Sequence, residues 1–465
     1  MDGLDLPEPP RPRSSPSTKT TVGVLVAMVI VLIVAGLGIS RVRDAQQTLR
    51  HASALVTTTT TAPASGQAAP PAGADLSPEQ QKVIDDVKAQ VSSIRGLAWK
   101  TTLPIKVVSK DELAKRLKDL NTQDRAKHPD QLATDESVLK LLQLIPRNLD
   151  YAKAVDDLLA GGVLGFYDDE AKELYVGGNG TGPPDAATRS VLSHELTHAL
   201  TDQYFDFGSK GRALDDANRT EESAALTALI EGDAELVRTM WEDKYLSAAE
   251  RKQADDAGSN DNGAYAKAPP YLLDSLFFPY QDGVAFVRSR FQAGGFAAVD
   301  DAYRNPPTST EQILHPELYT PGQGWTAPAL PDLAAQTGCG KVETGTLGEF
   351  DMTEMLDRQL NSADSHSAAA GWNGDAYSVV RCGAALGLAD RWQTDSPADA
   401  ARLTDALTKW AKGWSGSTKA PDADGRFSGP SGAGRIVRSA TGRVDLVLAD
   451  DVATADRVGR VLAAA

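Results

Sequence analysis

Residues 194 to 198 read His-Glu-Leu-Thr-His, two of the chain's six histidines around a glutamate. Nothing else in the sequence restricts the fold as strongly. Residues four apart share one face of a helix, a turn above each other, so the two imidazoles meet only if this stretch is helical. The flanks agree, since Val191, Leu192, Leu196, Ala199 and Leu200 surround the polar residues and bury the helix over much of its circumference. Buried imidazoles need partners, and a shared metal ion provides one. The spacing points to Zn2+ on His194 and His198, with Glu195 reaching a water instead of the metal. The competing reading is a helix that carries the pattern by coincidence.

At 465 residues the chain has room for one large domain or two ordinary ones after tails are removed. Its formal charge of −16 argues against a nucleic-acid binder, which needs a concentrated basic surface. Residues 1–19 read as a cytoplasmic tail and 20–40 as a transmembrane helix, because the run from Val22 to Ile39 carries no charge and is about as long as a bilayer span. Residues 41–76, rich in Thr, Ala and Pro, read as a disordered stalk. Arg11, Arg13 and Lys19 on one side balance Arg41, Arg43 and Arg50 on the other, so it is the stalk that places the remaining domain outside the cell membrane.

The folded part, 77–465, is expected to be α+β and mainly helical, with a smaller α+β portion from about 345. Ser77 followed by Pro78 and Glu79 marks a helix start. "LPIKVVS" reads as a strand, and helical patterns fill most of the stretch to 160. "VLGFY" and "ELYV" flank the turn-prone "DDEAK" and predict a β-hairpin ahead of the histidine helix. Residues 219–245 form one long helical pattern, and "PPYLLDSLFF" and "DGVAFVRSRFQAGGFAAVDDAYR" read as two further helices. Past 370 come a strand pair, a helix and a last hairpin. Cys339 and Cys382, the only cysteines, are expected to pair in an oxidising compartment.

"SHELTHALTDQY" resembles the active-site helix of thermolysin-like peptidases, within the gluzincin group. With "EGDAELV", "STEQILHPELY" and "GWNGDAY" the chain is similar to uncharacterised bacterial gluzincin-like proteins over roughly residues 160 to 400. In that group the third zinc ligand is a glutamate on a following helix, often in a Glu-Gly-x-Ala setting. Glu231, Gly232 and Ala234 match it. Glu222 is the rival, but lies nine residues earlier on the opposite face of the same helix, so both cannot serve one metal. Glu231 shares its face with Ala224, Ala228 and Glu235. The alanines allow another helix to approach, and Glu235 can bond the outer nitrogen of a ligand histidine.

The resemblance implies a membrane-anchored zinc peptidase acting on a peptide or protein substrate, with Glu195 taking the proton of the attacking water. His315, held before Pro316, is the first candidate for a second oxyanion donor, ahead of Tyr271 and Tyr280. In gluzincins an edge strand pairs with the extended substrate, and Glu173, Leu174, Tyr175 and Val176 occupy the corresponding place. The segment "DQYFDFGSKGRALDDANR" reads as an insertion that shapes the cleft, and the helical stretch 77–160 as a possible cover over it. No calcium loop is visible. The alternative is a catalytically silent, zinc-containing envelope protein that binds a peptide or partner in the same cleft.

Overall fold

The computed structural model describes residues 76–127, 130–160, 165–177, 182–258 and 265–464. The expected tail, membrane helix and all but the last residue of the stalk lie outside them. Among the described residues no helix is long and apolar enough to cross a membrane.

The first helix, α1 (Pro78–Arg95), starts on a reciprocal cap in which Ser77 Oγ accepts the Gln80 amide and the Gln80 side chain accepts the Ser77 amide. It ends at Gly96, whose φ of 74° suits a left-handed C-cap. Then come β1 (Ile105–Val108), α2 (Lys110–Lys127), α3 (Gln131–Leu142), α4 (Tyr151–Ala160) and the hairpin of β2 (Gly165–Asp168) and β3 (Glu173–Gly177). The central helices are α5 (Ala186–Phe205), α6 (Phe207–Asp216), α7 (Thr220–Tyr245), α8 (Ala248–Gly258) and α9 (Pro270–Arg304). Short helices α10 (Thr310–Leu314) and α11 (Leu333–Thr337) lead to β4 (Gly340–Gly345). The rest of the chain is α12 (Gly348–Asp357), α13 (Ser362–Ala369), β5 (Trp372–Cys382), β6 (Ala385–Thr394), α14 (Pro397–Ser415), β7 (Arg426–Gly429), β8 (Gly432–Arg438), β9 (Arg443–Ala449) and α15 (Val452–Ala463). The fold is α+β and mainly helical, as its patterning predicts.

Two departures are informative. The two helices expected between 270 and 304 run as one past Pro279, and the break falls instead at Gly294–Gly295, where φ at Gly295 is 65°. The expected insertion after His198 is itself helical, completing α5 and forming α6.

The hairpin forms, but it belongs to a three-stranded sheet of order β1-β3-β2. β1 runs parallel to β3 through the pairs Ile105↔Leu174 to Val108↔Gly177. Glu173, Leu174, Tyr175 and Val176 therefore form the central strand and are not an edge strand able to receive a substrate. The physical reason lies seventy residues upstream, where "IKVV" fills the hydrogen-bonding edge that the hairpin alone leaves open. Leu174, Tyr175 and Val176 are all buried. Among the described residues the edge next to the histidine helix that lacks a strand partner belongs to β2.

One core gathers α1, α5, α7 and α9 with the small sheet, through residues such as Val91, Leu196, Leu229 and Phe286. α7 and α9 touch backbone to backbone: a Cβ on Gly232 would lie 2.2 Å from the Gly283 carbonyl oxygen, and one on Gly283 2.1 Å from that of Ala228. α1 is an integral wall of this core, not a detachable cover. Buried Arg95 at its end pairs through Nε with Asp233 of α7 at 3.1 Å and through Nη2 with Asp300 of α9 at 2.6 Å.

The second sheet has the order β4-β5-β6-β9-β8-β7. Its alternate residues face two layers: Val379, Leu388, Trp392 and Leu446 toward α3, α12 and α14, and Val380, Ala389, Val447 and Ala449 toward α11 and α15. Trp372 is buried in the first layer, where its Nε1 donates to Asp375 at 2.8 Å. Cys339 and Cys382 form a disulfide beside the paired ends of β4 and β5.

Candidate metal centre

α5 begins at Asp185, whose carboxylate accepts the Thr188 amide at 2.8 Å, and runs buried from Ser190 through Asp202. Its phase sets His194 and His198 on the side facing α7, where Glu231 meets them. The three ligand-type atoms converge. His194 Nε2 is 2.9 Å from His198 Nε2 and 3.1 Å from Glu231 Oε2, and His198 Nε2 is 3.3 Å from the same oxygen.

Three such atoms can hold a metal ion. For ligand bonds of about 2.0–2.1 Å, the edge of a tetrahedron is about 3.3 Å, close to these separations. Two imidazole nitrogens and a carboxylate oxygen share no proton arrangement that satisfies all three equally, whereas one cation accepts a lone pair from each. The residues fit a divalent ion. Although burial works against it, the two histidines hold the Glu231 carboxyl down to about 2, so it presents a charged oxygen.

Around this trio the structure arranges further partners. Glu195 is fully buried; one of its oxygens accepts the Tyr167 amide at 2.8 Å, and Oε1 has no partner among the described residues. That amide belongs to β2 and points off the sheet's free edge. Burial pushes the Glu195 carboxyl up to about 7 despite the opposing pull of His194 and His198, a range suited to accepting and returning a proton near neutrality. Glu235 lies 3.7 Å from His194 Nδ1, as its place one turn beyond Glu231 implies. Arg238 grips Glu235 at 2.9 Å through Nε and also bonds Glu242 and Ser190, linking α7 back to α5.

Tyr280 is also here. Its ring lies 6.3 Å from that of His194, and its hydroxyl bonds Glu231. The sequence favours His315 over it; Tyr280 reaches the trio because it lies three residues before Gly283, on the α9 face that meets α7. His315 joins a different cluster, with Nε2 2.9 Å from buried Glu349 and Nδ1 3.7 Å from Glu317. Among the described residues it makes no hydrogen bond or ion pair with the trio. Tyr271 bonds Asp351 at 3.1 Å, in the neighbouring core. Glu222 pairs with Arg219 at 2.8 Å, a helix-start charge, while Glu221 is buried and accepts the Thr310 amide at 2.8 Å. Arg238 and the Tyr167 amide had no sequence signal, since each acts through a contact between distant elements.

Residues 335–459 match a family model described as a domain of unknown function, DUF8575. No curated protein and no solved structure matches the chain. The His194, His198 and Glu231 group lies outside the matched segment.

Proposed function

We propose that this chain is a zinc-dependent peptidase of gluzincin type, anchored to the cell membrane by residues 20–40 with its domain outside. The observation that carries the reading is the convergence of His194, His198 and Glu231 beside a buried glutamate with one oxygen unpartnered. Two nitrogens and one oxygen suit zinc, and three protein ligands leave a position open, as catalytic sites do. Zinc bound there supplies Lewis acidity, polarising a substrate carbonyl and acidifying a water.

The chain's own residues do the remainder. Glu195 Oε1 takes the proton of the attacking water and returns it to the leaving amine, while the Tyr167 amide fixes the other oxygen. Tyr280, already beside Glu231, is placed to donate to charge developing on the carbonyl oxygen. Glu235, steadied by Arg238, keeps the His194 proton on Nδ1 so that Nε2 offers its lone pair. The edge of β2 that lacks a strand partner among the described residues, apart from the Tyr167 amide that Glu195 holds, takes over the substrate-pairing role expected of residues 173–176.

The test combines metal content with turnover of a mixed peptide library. Full-length protein is expected to hold about one zinc per chain, with His194→Ala, His198→Ala and Glu231→Ala each losing it. Glu195→Gln is expected to retain zinc and lose cleavage. Stoichiometric zinc with no cleavage by the unaltered chain, of a library that a control peptidase digests, would instead establish the silent binding protein. Loss of zinc from Glu222→Ala with retention in Glu231→Ala would overturn the ligand set.

A further inference from the structure

The outer edge of the second sheet carries an electrostatic conflict. Arg426 on β7 and Arg435 on β8 sit directly opposite each other in the antiparallel ladder. Like charges in that relation destabilise a sheet. Strand alternation puts both on the face of Ala433, Val447 and Ala449, the face that α15 covers. α15 packs over those three residues. Between its flank, the β7–β8 hairpin and residues 417–422 lies an open groove of about 450 Å3.

Lys419 and Arg460 bring further positive charge to this groove, and neither side chain has a hydrogen bond or ion pair among the described residues. Two acids also line it, and both are engaged. Asp456 lies 3.5 Å from Arg426, and Asp422 Oδ1 accepts the amides of Asp424 and Arg426, each at 2.9 Å. Arg435 gives only its Nε, to the Asp424 carbonyl oxygen at 3.0 Å, leaving its terminal nitrogens without a partner among the described residues. Four cations thus face two occupied carboxylates in a chain whose net charge is −16. The helix flank adds apolar surface: Val452 is 55% exposed, and a Cβ on Gly459 would meet nothing within 4 Å.

We propose that this groove is a binding site for a small organic diphosphate. Paired guanidinium forks on neighbouring strands match adjacent phosphate groups, each fork able to bond two oxygens. Lys419 and Arg460 supply point charge at the rim, and the Val452–Gly459 flank takes the carbon portion. The volume lies within the range of small-molecule sites. The anion also resolves the arginine conflict, so the bound state is more stable than the free one. The groove lies almost entirely in the segment matching the domain of unknown function.

Calorimetric titration of the full-length protein with inorganic pyrophosphate tests this, with Arg435→Ala, Arg460→Ala and, as control outside the groove, Arg438→Ala. Saturable one-to-one binding is expected, weakened about tenfold or more by each groove substitution and unchanged in the control. Without ligand, Arg435→Ala is expected to melt no lower than the unaltered chain, because it removes a repulsion. A merely structural arginine would behave in the opposite way. An alkyl diphosphate binding more tightly than pyrophosphate identifies a lipid-like source, and equal affinities a soluble one; both require the site. Absence of saturable pyrophosphate binding in the millimolar range, or equal binding by all variants, overturns the proposal.

Discussion

His194 and His198 are neighbours because a helix makes them so, but Glu231 reaches them only because α7 crosses α5 at the right height. At this scale Tyr280 offers the sharpest test of the catalytic reading. Its ring lies beside His194, and burial together with Glu231 and its neighbouring acids holds its hydroxyl well above the usual tyrosine range and so protonated. Tyr280→Phe keeps the ring beside His194 and deletes the donor. It is expected to lower kcat about a hundredfold, with zinc content and KM little changed. If the loss appears in zinc content instead, Tyr280 only positions Glu231. His315→Ala should then have the smaller effect on kcat, because its imidazole is committed to Glu349.

Between elements, the contact of α3 with β4 contains a second set of buried acids, with a consequence for pH. Glu343 on β4 is fully buried with neither carboxyl oxygen partnered among the described residues, and Asp135 on α3 has one oxygen without a partner. Burial pushes Asp135 up to about 8 and, with Asp135 adding to it, Glu343 up to about 9. Both folded-state values lie above those of an unfolded chain, near 4. The folded protein thus holds protons that the unfolded chain has released. This contribution to stability is fully present below about pH 4 and is lost as pH rises through 8 to 9. Glu343→Gln removes much of the dependence. Denaturant unfolding at pH 5, 7 and 9 is expected to show the variant gaining on the unaltered protein by a few kcal/mol between the extremes. A difference that stays constant with pH would show that Glu343 is charged throughout.

The two sheets and their helices are not separable halves. The C-terminal portion, expected from about 345, begins with β4 at Gly340, and its first core layer is completed by Val138, Leu141, Leu142 and Tyr151 from the front of the chain. Trp414 Nε1 donates to the Leu141 carbonyl at 2.8 Å, and Gln143 returns a bond to the Trp414 carbonyl at 2.7 Å. A fragment of residues 335–465 therefore exposes one face of its sheet. It is expected to lack the cooperative melt of the full-length protein, whereas a 76–465 fragment keeps it. The Cys339–Cys382 bridge closes a separation of 43 residues. In the chain-entropy estimate this stabilises the fold by about 4 kcal/mol, so reduction should lower the denaturation midpoint. An unchanged midpoint would mean that the β4–β5 ladder already restrains this loop.

Features that depend on residues close in the chain were legible before any coordinates. The histidine helix and the hairpin turn follow from periods of 3.6 and 2 and from a cap such as Ser77, whose energies act over a few residues, and helix phase separates Glu222 from Glu231, while the choice of Glu231 rests on the resemblance of its Glu-Gly-x-Ala setting to gluzincins. Only the tertiary structure decided that "ELYV" is a central strand, because the strand that covers its edge comes from seventy residues away. It also set Tyr280 rather than His315 against the trio, through two glycines that let α7 and α9 meet at their backbones. The same holds for Arg426 opposite Arg435, a pairing that depends on register. Contacts across the chain are selected by shape and burial of whole elements, and no local period encodes which elements will meet.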